Sequence, residues 1–212
     1  MPAGRIHALA ISAVLILPLF SAFPAEDSAG RLSEIESAMK TVSTLSADFV
    51  QEKKIKFLRH TLVIRGTFHL DKAGRMAWRV NSPIQYCCVI EKDRLTQWDA
   101  DSNKVLSIDT TRNQLLKSLV DSMGLYFSGA FMKRSDSFDI SFPEPRSLKM
   151  IPRKGNIAAE FVASMTVTLS EDLRHVREVR IEENNGDLTH IVFSGFSINQ
   201  PQPEKVWQAG PQ

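Results

Sequence analysis

Residue types that commonly perform catalysis or bind metals are spread along this chain of 212 residues without a recognisable spacing. Neither H-x-x-x-H nor a separated pair of cysteines is present, which excludes the common zinc-site patterns. The G-x-S-x-G turn of serine hydrolases is also absent. The dispersed candidates are His60, His69, His175, His190, Asp99, Asp109 and Asp136. We therefore predict that the protein is not an enzyme and uses no metal and no cofactor.

The two cysteines, Cys87 and Cys88, are adjacent, which excludes a fold held together by several disulfides. Neighbouring residues of a strand point to opposite faces, and a bond between them requires a strained turn. We expect two unpaired thiols, with a vicinal disulfide or a bridge between chains as alternatives. Cys88 shares the alternation of Tyr86 and Ile90 and is predicted to lie in the core, whereas Cys87 is expected to be open to oxidation.

Apolar side chains give the stronger pattern, most clearly in the stretch from residue 64 to residue 80. Alternate residues are apolar, and those between them are polar or basic, which is typical of half-buried antiparallel strands. Residues 71–74 supply the turn. The apolar set is Ile64, Phe68, Leu70, Met76, Trp78 and Val80, and the opposite set is Arg65, Thr67, His69, Arg75 and Arg79. The sequence predicts a hairpin whose apolar face must cover something.

Charge is nearly balanced overall but uneven along the chain. The net charge of +2 falls to +1 if residues 1–25, which contain Arg5 and no acid, are removed. This balance argues against a nucleic-acid binder. The segment from Glu52 to Arg79, however, contains eight basic residues and only two acidic ones. Either they form a solvated strand face, with lysines that protect an edge strand from aggregation, or they form a docking surface for an acidic partner or anionic headgroups.

The N-terminus has the pattern of an export signal. Arg5 precedes an apolar run over residues 8–20, and small residues with a proline follow at 21–25. The run is shorter than a membrane-spanning helix normally requires. We predict a cleaved signal peptide at residues 1–25 and a single domain at residues 26–212.

Helical spacing of apolar residues predicts a helix over residues 28–45, and a second helical region follows residue 112 and continues to residue 132. Elsewhere short alternating segments are separated by turn signals. The predicted strands are 46–58, 61–70, 74–81, 84–91, 94–99, 104–109, 137–142, 147–152, 159–169, 174–183 and 187–198. A sheet of about eleven strands tends to curl, and helices against its concave side would cover its apolar face.

The order of several short motifs resembles that of a known family. These are SADFVQ at 46–51, GTF at 66–68, KAGRMAW at 72–78, Pro83, WD at 98–99 and PQPEKVW at 201–207. Together they resemble the periplasmic outer-membrane lipoprotein carrier family, LolA, over nearly the whole chain after the signal peptide. The resemblance implies an α+β fold, an incomplete (half-open) antiparallel β-barrel of about eleven strands with an α-helical lid over an apolar cavity.

The resemblance also implies which residues contact the cargo. The cavity and lid residues would be Phe49, Phe68, Met76, Trp78, Trp98, Leu119, Met123, Phe127 and Phe131. Gly124 and Gly129 would permit the lid to open. Lys72 holds the place of a family arginine that acts in the lid and transfer step, and since lysine lacks the planar guanidinium, the latch is expected to be weaker or to depend on Arg75.

The implied function is transport through the periplasm. Exposing a 16-carbon acyl chain to water costs on the order of 12 kcal/mol, so an acylated lipoprotein needs a carrier. The implied partners are the cargo, an inner-membrane ABC-type release complex and an outer-membrane acceptor lipoprotein; no nucleic acid is expected, and the protein is expected to be a monomer. The alternative is a periplasmic accessory or sensor protein that binds a different lipid, such as a glycolipid or another acylated amphiphile.

Overall fold

Alternating apolar and polar residues form eleven strands that join into one antiparallel sheet. The computed structural model describes residues 25–112, 117, 120, 127, 129, 131 and 136–211. The strands are β1 (Thr44–Lys54), β2 (Leu62–Asp71), β3 (Met76–Ser82), β4 (Tyr86–Glu91), β5 (Arg94–Asp99), β6 (Lys104–Asp109), β7 (Phe138–Glu144), β8 (Ser147–Pro152), β9 (Val162–Leu169), β10 (Val176–Glu183) and β11 (Leu188–Ile198).

One α-helix, α1 (Ala25–Met39), precedes the sheet, and 3₁₀ turns occur at Thr110–Arg112, Ile157–Glu160 and Glu204–Trp207. Within the described part of the chain, no helix is both long and apolar enough to cross a membrane. Residues 1–24 of the predicted signal peptide lie outside the described residues, so the signal peptide and the domain boundary stay predictions.

The order of the strands explains how the sheet forms a half-open barrel. Neighbours run β6-β5-β4-β3-β2-β1-β11-β10-β9-β8-β7, so the first and last strands pair at the centre. The strands β6 and β7 are the two free edges, and the chain between residues 109 and 138 connects them. The predicted α+β fold, an incomplete (half-open) antiparallel β-barrel of eleven strands with a helical lid, is confirmed.

The two predicted boundaries that differ most from the structure do so for local reasons. The helix ends at Met39, six residues before the predicted position, because Thr41, Val42 and Thr44 are β-branched residues that favour extended backbone. The strand β1 ends at Lys54 because the next residues turn, with the backbone N–H of Leu58 donating to the carbonyl of Ile55 at 2.9 Å. A loop over residues 55–61 therefore replaces the predicted end of this strand.

The core lies on the concave face of the sheet. Side chains of α1, including Leu32, Ile35 and Met39, pack there against Phe49 and Phe68. Val120 and Phe131 from the insert are buried in the same cluster. The helix and the insert thus cover the apolar face, as the amphipathic patterns predicted.

Gly66, in the GTF motif, is required by a close approach between strands. A Cβ atom at this position would lie 1.8 Å from the carbonyl oxygen of Arg79 and 2.8 Å from the ring of Phe49. Glycine is the residue that permits such contact between backbones. The sheet irregularity between Arg65 and Gly66 occurs at the same point.

The convex face of β2, β3 and β4 is covered by the C-terminal segment, residues 200–211. Arg79 is buried beneath it and donates hydrogen bonds from its guanidinium to the carbonyl oxygens of Val206 at 2.9 Å, Lys205 at 3.3 Å, Gly210 at 3.3 Å, and Gln208. Gln202 also donates from its side chain to the carbonyls of β1 and β2. The interpretation of this face as a solvated basic surface is therefore wrong at Arg79. The C-terminal segment covers the convex face there, and its backbone carbonyls bind the Arg79 side chain.

Replacing Arg79 by Ala should lower the free energy of unfolding by about 2–4 kcal/mol, because several buried carbonyl oxygens would lose a charged donor. Urea unfolding followed by circular dichroism measures the change, and limited proteolysis should cut residues 200–211 faster. Arg65→Ala, an exposed arginine on the preceding strand, is the matched control and should change stability little. Equal stability of the two variants would contradict the anchoring role of Arg79.

Candidate functional site

An apolar cavity of about 400 Å³ lies between the concave face of the sheet and the insert. Its walls come from both halves of the sheet, since β1 to β4 contribute one side and β9 to β11 the other. The lining residues are Gln51, Phe68, Met76, Trp78, Tyr86, Cys88, Ile90, Phe127, Met165, Val179, Ile181, Thr189 and Ile191. This volume is within the range of sites that hold small apolar ligands.

Aromatic rings form the base of the cavity and connect it to the insert. Phe49 stacks on Trp78 with ring centroids 3.9 Å apart, and Phe193 packs edge-on against both. Phe127, from the insert, lies 4.2 Å from Phe68 between ring centroids. Contact between Phe127 and Phe68 is therefore a point where the insert closes onto the sheet.

The polar groups of the cavity are at one end of it. Gln51, Tyr86 and Thr189 all lie near the end of the sheet where β1 finishes and where β4 and β11 begin. At the same end, Lys53 forms an ion pair with Glu183 at 2.8 Å. The site is thus amphipathic, with an apolar interior and a polar end, which suits a ligand with an apolar tail and a polar head.

Tyr86 and Cys88, the ionisable side chains that line the cavity, both have raised pKa values. Burial raises the pKa of Tyr86 to about 12 and the pKa of Cys88 to about 11. The neighbouring Cys88 is a second, smaller cause of the raised pKa of Tyr86. Both side chains are therefore uncharged at neutral pH, and an apolar ligand meets no anion from them.

Four of the residues predicted to contact the cargo line this cavity: Phe68, Met76, Trp78 and Phe127. Phe49 and Phe131 are almost fully buried in the core around it. Leu119 and Met123, with the proposed hinge residue Gly124, lie outside the described residues. The binding role of all these residues stays a prediction.

Trp98 does not line the cavity, and its predicted position is wrong. It pairs in register with Cys87 and borders a separate hollow on the convex face with Arg79. Its indole N–H donates to Asn103 at 3.1 Å. The physical reason is strand alternation, because Leu95 faces the concave core and a residue three positions later must face the other side.

The environments of the two cysteines are the reverse of those that the sequence predicted. Both are free, as expected. Cys87, however, is only 2% exposed and packs beneath Trp207 and Ala209, whereas Cys88 is partly exposed and lines the cavity. The expectation that Cys87 is open to oxidation is wrong because the C-terminal segment covers the convex face.

Arg75 is engaged by the C-terminal segment. Its guanidinium donates to Asp71 at 2.7 Å and to Glu204 at 3.0 Å, and it lies 4.5 Å above the ring of Trp207. Arg75 therefore fixes residues 200–211 to the β2–β3 turn. Its expected part in the lid latch stays a prediction.

Lys72 lies at the same turn beside a smaller hollow of about 240 Å³ that Met39 and Phe127 also line. Its backbone N–H donates to the carbonyl of Ser43 at 2.8 Å. Its side chain forms no hydrogen bond or ion pair with the described residues. Lys72 is therefore close to the insert, and its part in transfer stays a prediction.

Potential metal-ligating side chains do not cluster in the described part of the chain. No group of three or more His, Cys, Asp or Glu side chains in residues 25–112, 136–211 and the few described between them is arranged to hold a metal ion. His69 and His175 are partly buried, and burial lowers the pKa of each, so both are neutral at physiological pH.

Comparison with known proteins identifies the family. Residues 40–209, which include all eleven strands, the insert and the C-terminal 3₁₀ turn, match the family model described as outer membrane lipoprotein carrier protein LolA. The chain belongs to the LolA family. The order of motifs from SADFVQ to PQPEKVW falls within the matched residues, so the resemblance drawn from sequence is confirmed.

Curated LolA relatives match along most of their length. The outer-membrane lipoprotein carrier protein of Pseudomonas fluorescens (strain Pf0-1) is 25% identical over 190 residues, covering 90% of this chain and 87% of the relative. That of Legionella pneumophila (strain Lens) is 24% identical over 177 residues, covering 84% of each. Among solved structures, a DUF1329 family protein from Desulfovibrio piger aligns with a TM-score of 0.52 at 9% identity, covering 87% of this chain and 97% of that one, which shows the fold alone.

Alkylation of the native LolA-family protein at pH 8 should be slow at both cysteines. Cys87 is buried, and the raised pKa of Cys88 leaves about a hundredfold less thiolate than an ordinary cysteine has at that pH. The reactivity of Cys88 should increase as the pH approaches 11. Mass spectrometry after maleimide treatment measures this, with Cys88→Ser to assign the signal.

The same protein, unfolded in guanidinium without a reductant, should titrate as two free thiols. Finding none would show a disulfide that the structure lacks. Rapid labelling of Cys87 in the native protein would contradict its burial under the C-terminal segment.

Proposed function

We propose that this protein is a periplasmic carrier that shields the acyl chains of lipoproteins in the cavity and moves them from the inner to the outer membrane. The single observation that carries the proposal is the apolar cavity of about 400 Å³ with one polar end, in a chain that belongs to the LolA family. The apolar walls would replace the water around an acyl chain, and the polar end would lie near the head of the cargo.

The size of the cavity suggests that loading requires the insert to move. If a methylene group takes about the volume of one water molecule, roughly 30 Å³, a 16-carbon chain needs roughly 500 Å³. The cavity is slightly smaller than one such chain, and a lipoprotein carries more than one. Separation of Phe127 from Phe68 would enlarge it, and Gly129, which has a positive φ and contacts Met39, would allow the insert to swing.

The remaining parts of the proposal rest on membership of the family. The protein would be exported by a cleaved signal peptide at residues 1–25, would receive cargo from an inner-membrane ABC-type complex and would pass it to an outer-membrane acceptor lipoprotein. The neutral cavity supports a binding role without catalysis. Apolar walls of this kind would also suit other acylated amphiphiles, so a competition experiment decides the class of cargo.

The purified exported protein should take up an apolar fluorescent probe and release it when an acylated lipoprotein is added. The same lipoprotein without its acyl chains should not compete, because only the chains enter the cavity. Fluorescence titration measures both. Competition by a glycolipid but not by the lipoprotein would establish the alternative of a lipid-binding accessory protein, and absence of probe uptake would overturn the proposal.

Replacing Phe127 by Asp should weaken probe binding at least about tenfold, because a carboxylate would be placed in the apolar cavity. Fluorescence titration measures binding, and circular dichroism should show an intact sheet, since Phe127 belongs to the insert. The matched control is Val192→Asp, on the exposed face of β11. If Phe127→Asp unfolds the protein, Phe127 is a core residue and its role at the ligand is wrong.

A further inference from the structure

The loop between β1 and β2, residues 55–61, exposes two large apolar side chains that the cavity does not use. Phe57 is 86% exposed and Leu58 is 59% exposed, the highest values for large hydrophobic residues in the described part of the chain. Because contiguous exposed apolar surface is a feature of protein and membrane interaction sites, this loop is a candidate for such a site.

The structure holds this loop in place rather than leaving it free. The N–H of Lys56 donates to the carboxylate of Asp187 at 2.9 Å, and the N–H of Leu58 closes the turn on Ile55. The base of the loop is thus fixed to the β10–β11 turn. Phe57 and Leu58 project beyond that fixed base.

A second exposed aromatic residue lies beside the same β10–β11 turn. The N–H of Asn184 donates to the carbonyl of Phe161 at 2.9 Å, and the Asn184 side chain donates to the carbonyl of Ala159 at 2.8 Å. The ring of Phe161 is 54% exposed. Phe57, Leu58 and Phe161 therefore belong to adjoining turns at one end of the sheet.

Positive charge surrounds this apolar tip. No Asp or Glu occurs from Lys53 to Leu70, whereas Lys54, Lys56 and Arg59 are exposed and form no ion pair with the described residues. Lys53 is the exception, since it is paired with Glu183.

The described carboxylates near the loop form no ion pair with Lys54, Lys56 or Arg59. Asp187 accepts the N–H of Lys56, and Glu182 accepts the hydroxyl of Ser164. Glu52 and Glu160 remain exposed. The loop itself therefore presents apolar groups together with three cations that form no ion pair with the described residues.

We propose that residues 55–61, with Phe161, form a docking site for an anionic lipid bilayer. Phe57 and Leu58 would enter the interface between headgroups and acyl chains, while Lys54, Lys56 and Arg59 would contact headgroup phosphates. A bilayer offers apolar and negative groups over one broad surface, which matches exposed apolar side chains flanked by cations that form no ion pair with the described residues. A protein groove that accepted this tip is the competing occupant, and the experiment distinguishes the two.

The docking site lies near one end of the cavity, which relates docking to the loading or release of a ligand. The polar end of the cavity, with Gln51, Tyr86 and Thr189, lies at the same end of the sheet as the loop. A docked molecule would turn that end of the cavity towards the bilayer. Docking itself requires no cargo, so it is tested independently of the proposed function.

Sedimentation with vesicles tests the proposal. The purified exported protein should bind vesicles of phosphatidylcholine with phosphatidylglycerol and bind phosphatidylcholine alone more weakly. Binding should decrease in about 0.5 M NaCl because salt screens the cations. The double variant Phe57→Ser, Leu58→Ser should bind at least about tenfold more weakly, because its two apolar anchors are removed.

A matched control is available on the edge strand β6. Val105→Ser with Leu106→Ser removes two exposed apolar side chains far from the loop in strand order and should leave vesicle binding unchanged. The triple variant Lys54→Gln, Lys56→Gln, Arg59→Gln should lose the preference for phosphatidylglycerol. In Phe57→Trp, vesicles should shift the additional tryptophan emission to shorter wavelength.

Two results would overturn the proposal: no binding of the native protein to anionic vesicles, or equal binding by the Phe57→Ser, Leu58→Ser variant. The first result would favour a protein partner as the ligand of the loop. The loop variants should keep their uptake of the fluorescent probe and their circular dichroism, since the loop is outside the cavity. Loss of vesicle binding alone thus defeats this inference, whereas loss of lipoprotein competition alone defeats the proposed function.

Discussion

Pairing between the first strand and the last strand holds the structure together. Because β1 pairs with β11, two halves of the chain that are far apart in sequence become one sheet, and Phe49 comes opposite Phe193 on the concave face. The same pairing leaves β6 and β7 as free edges that the insert must connect. A shift of one residue would turn every side chain of β11 to the wrong face, so this register decides whether a cavity forms.

The two faces of the sheet have different coverings and therefore different uses. The helix and the insert cover the concave face and leave an apolar cavity, whereas residues 200–211 cover the convex face tightly around Arg79. This divides the basic residues near the first hairpin into two groups. Arg75 and Arg79 hold the C-terminal segment, while Lys54, Lys56 and Arg59 remain available at the loop.

Much of the fold could be predicted because its signals are local. Alternation located all eleven strands, and the turn residues 71–74 placed the first hairpin correctly. The site was predicted less completely: Phe68, Met76, Trp78 and Phe127 line the cavity, but Trp98 does not. Its assignment depended on analogy with a family position, and the alternation of β5 opposed it.

By itself, the sequence determined which residues share a face within each strand and hairpin, because the direction of each Cβ atom follows from local backbone geometry. The tertiary structure alone decided what lies opposite each face. Arg79 and Cys87 lie at the alternate strand positions that the pattern predicted to be exposed. They are nevertheless buried by a segment that comes more than a hundred residues later in the chain. Burial depends on such distant contacts, and periodicity carries no information about them.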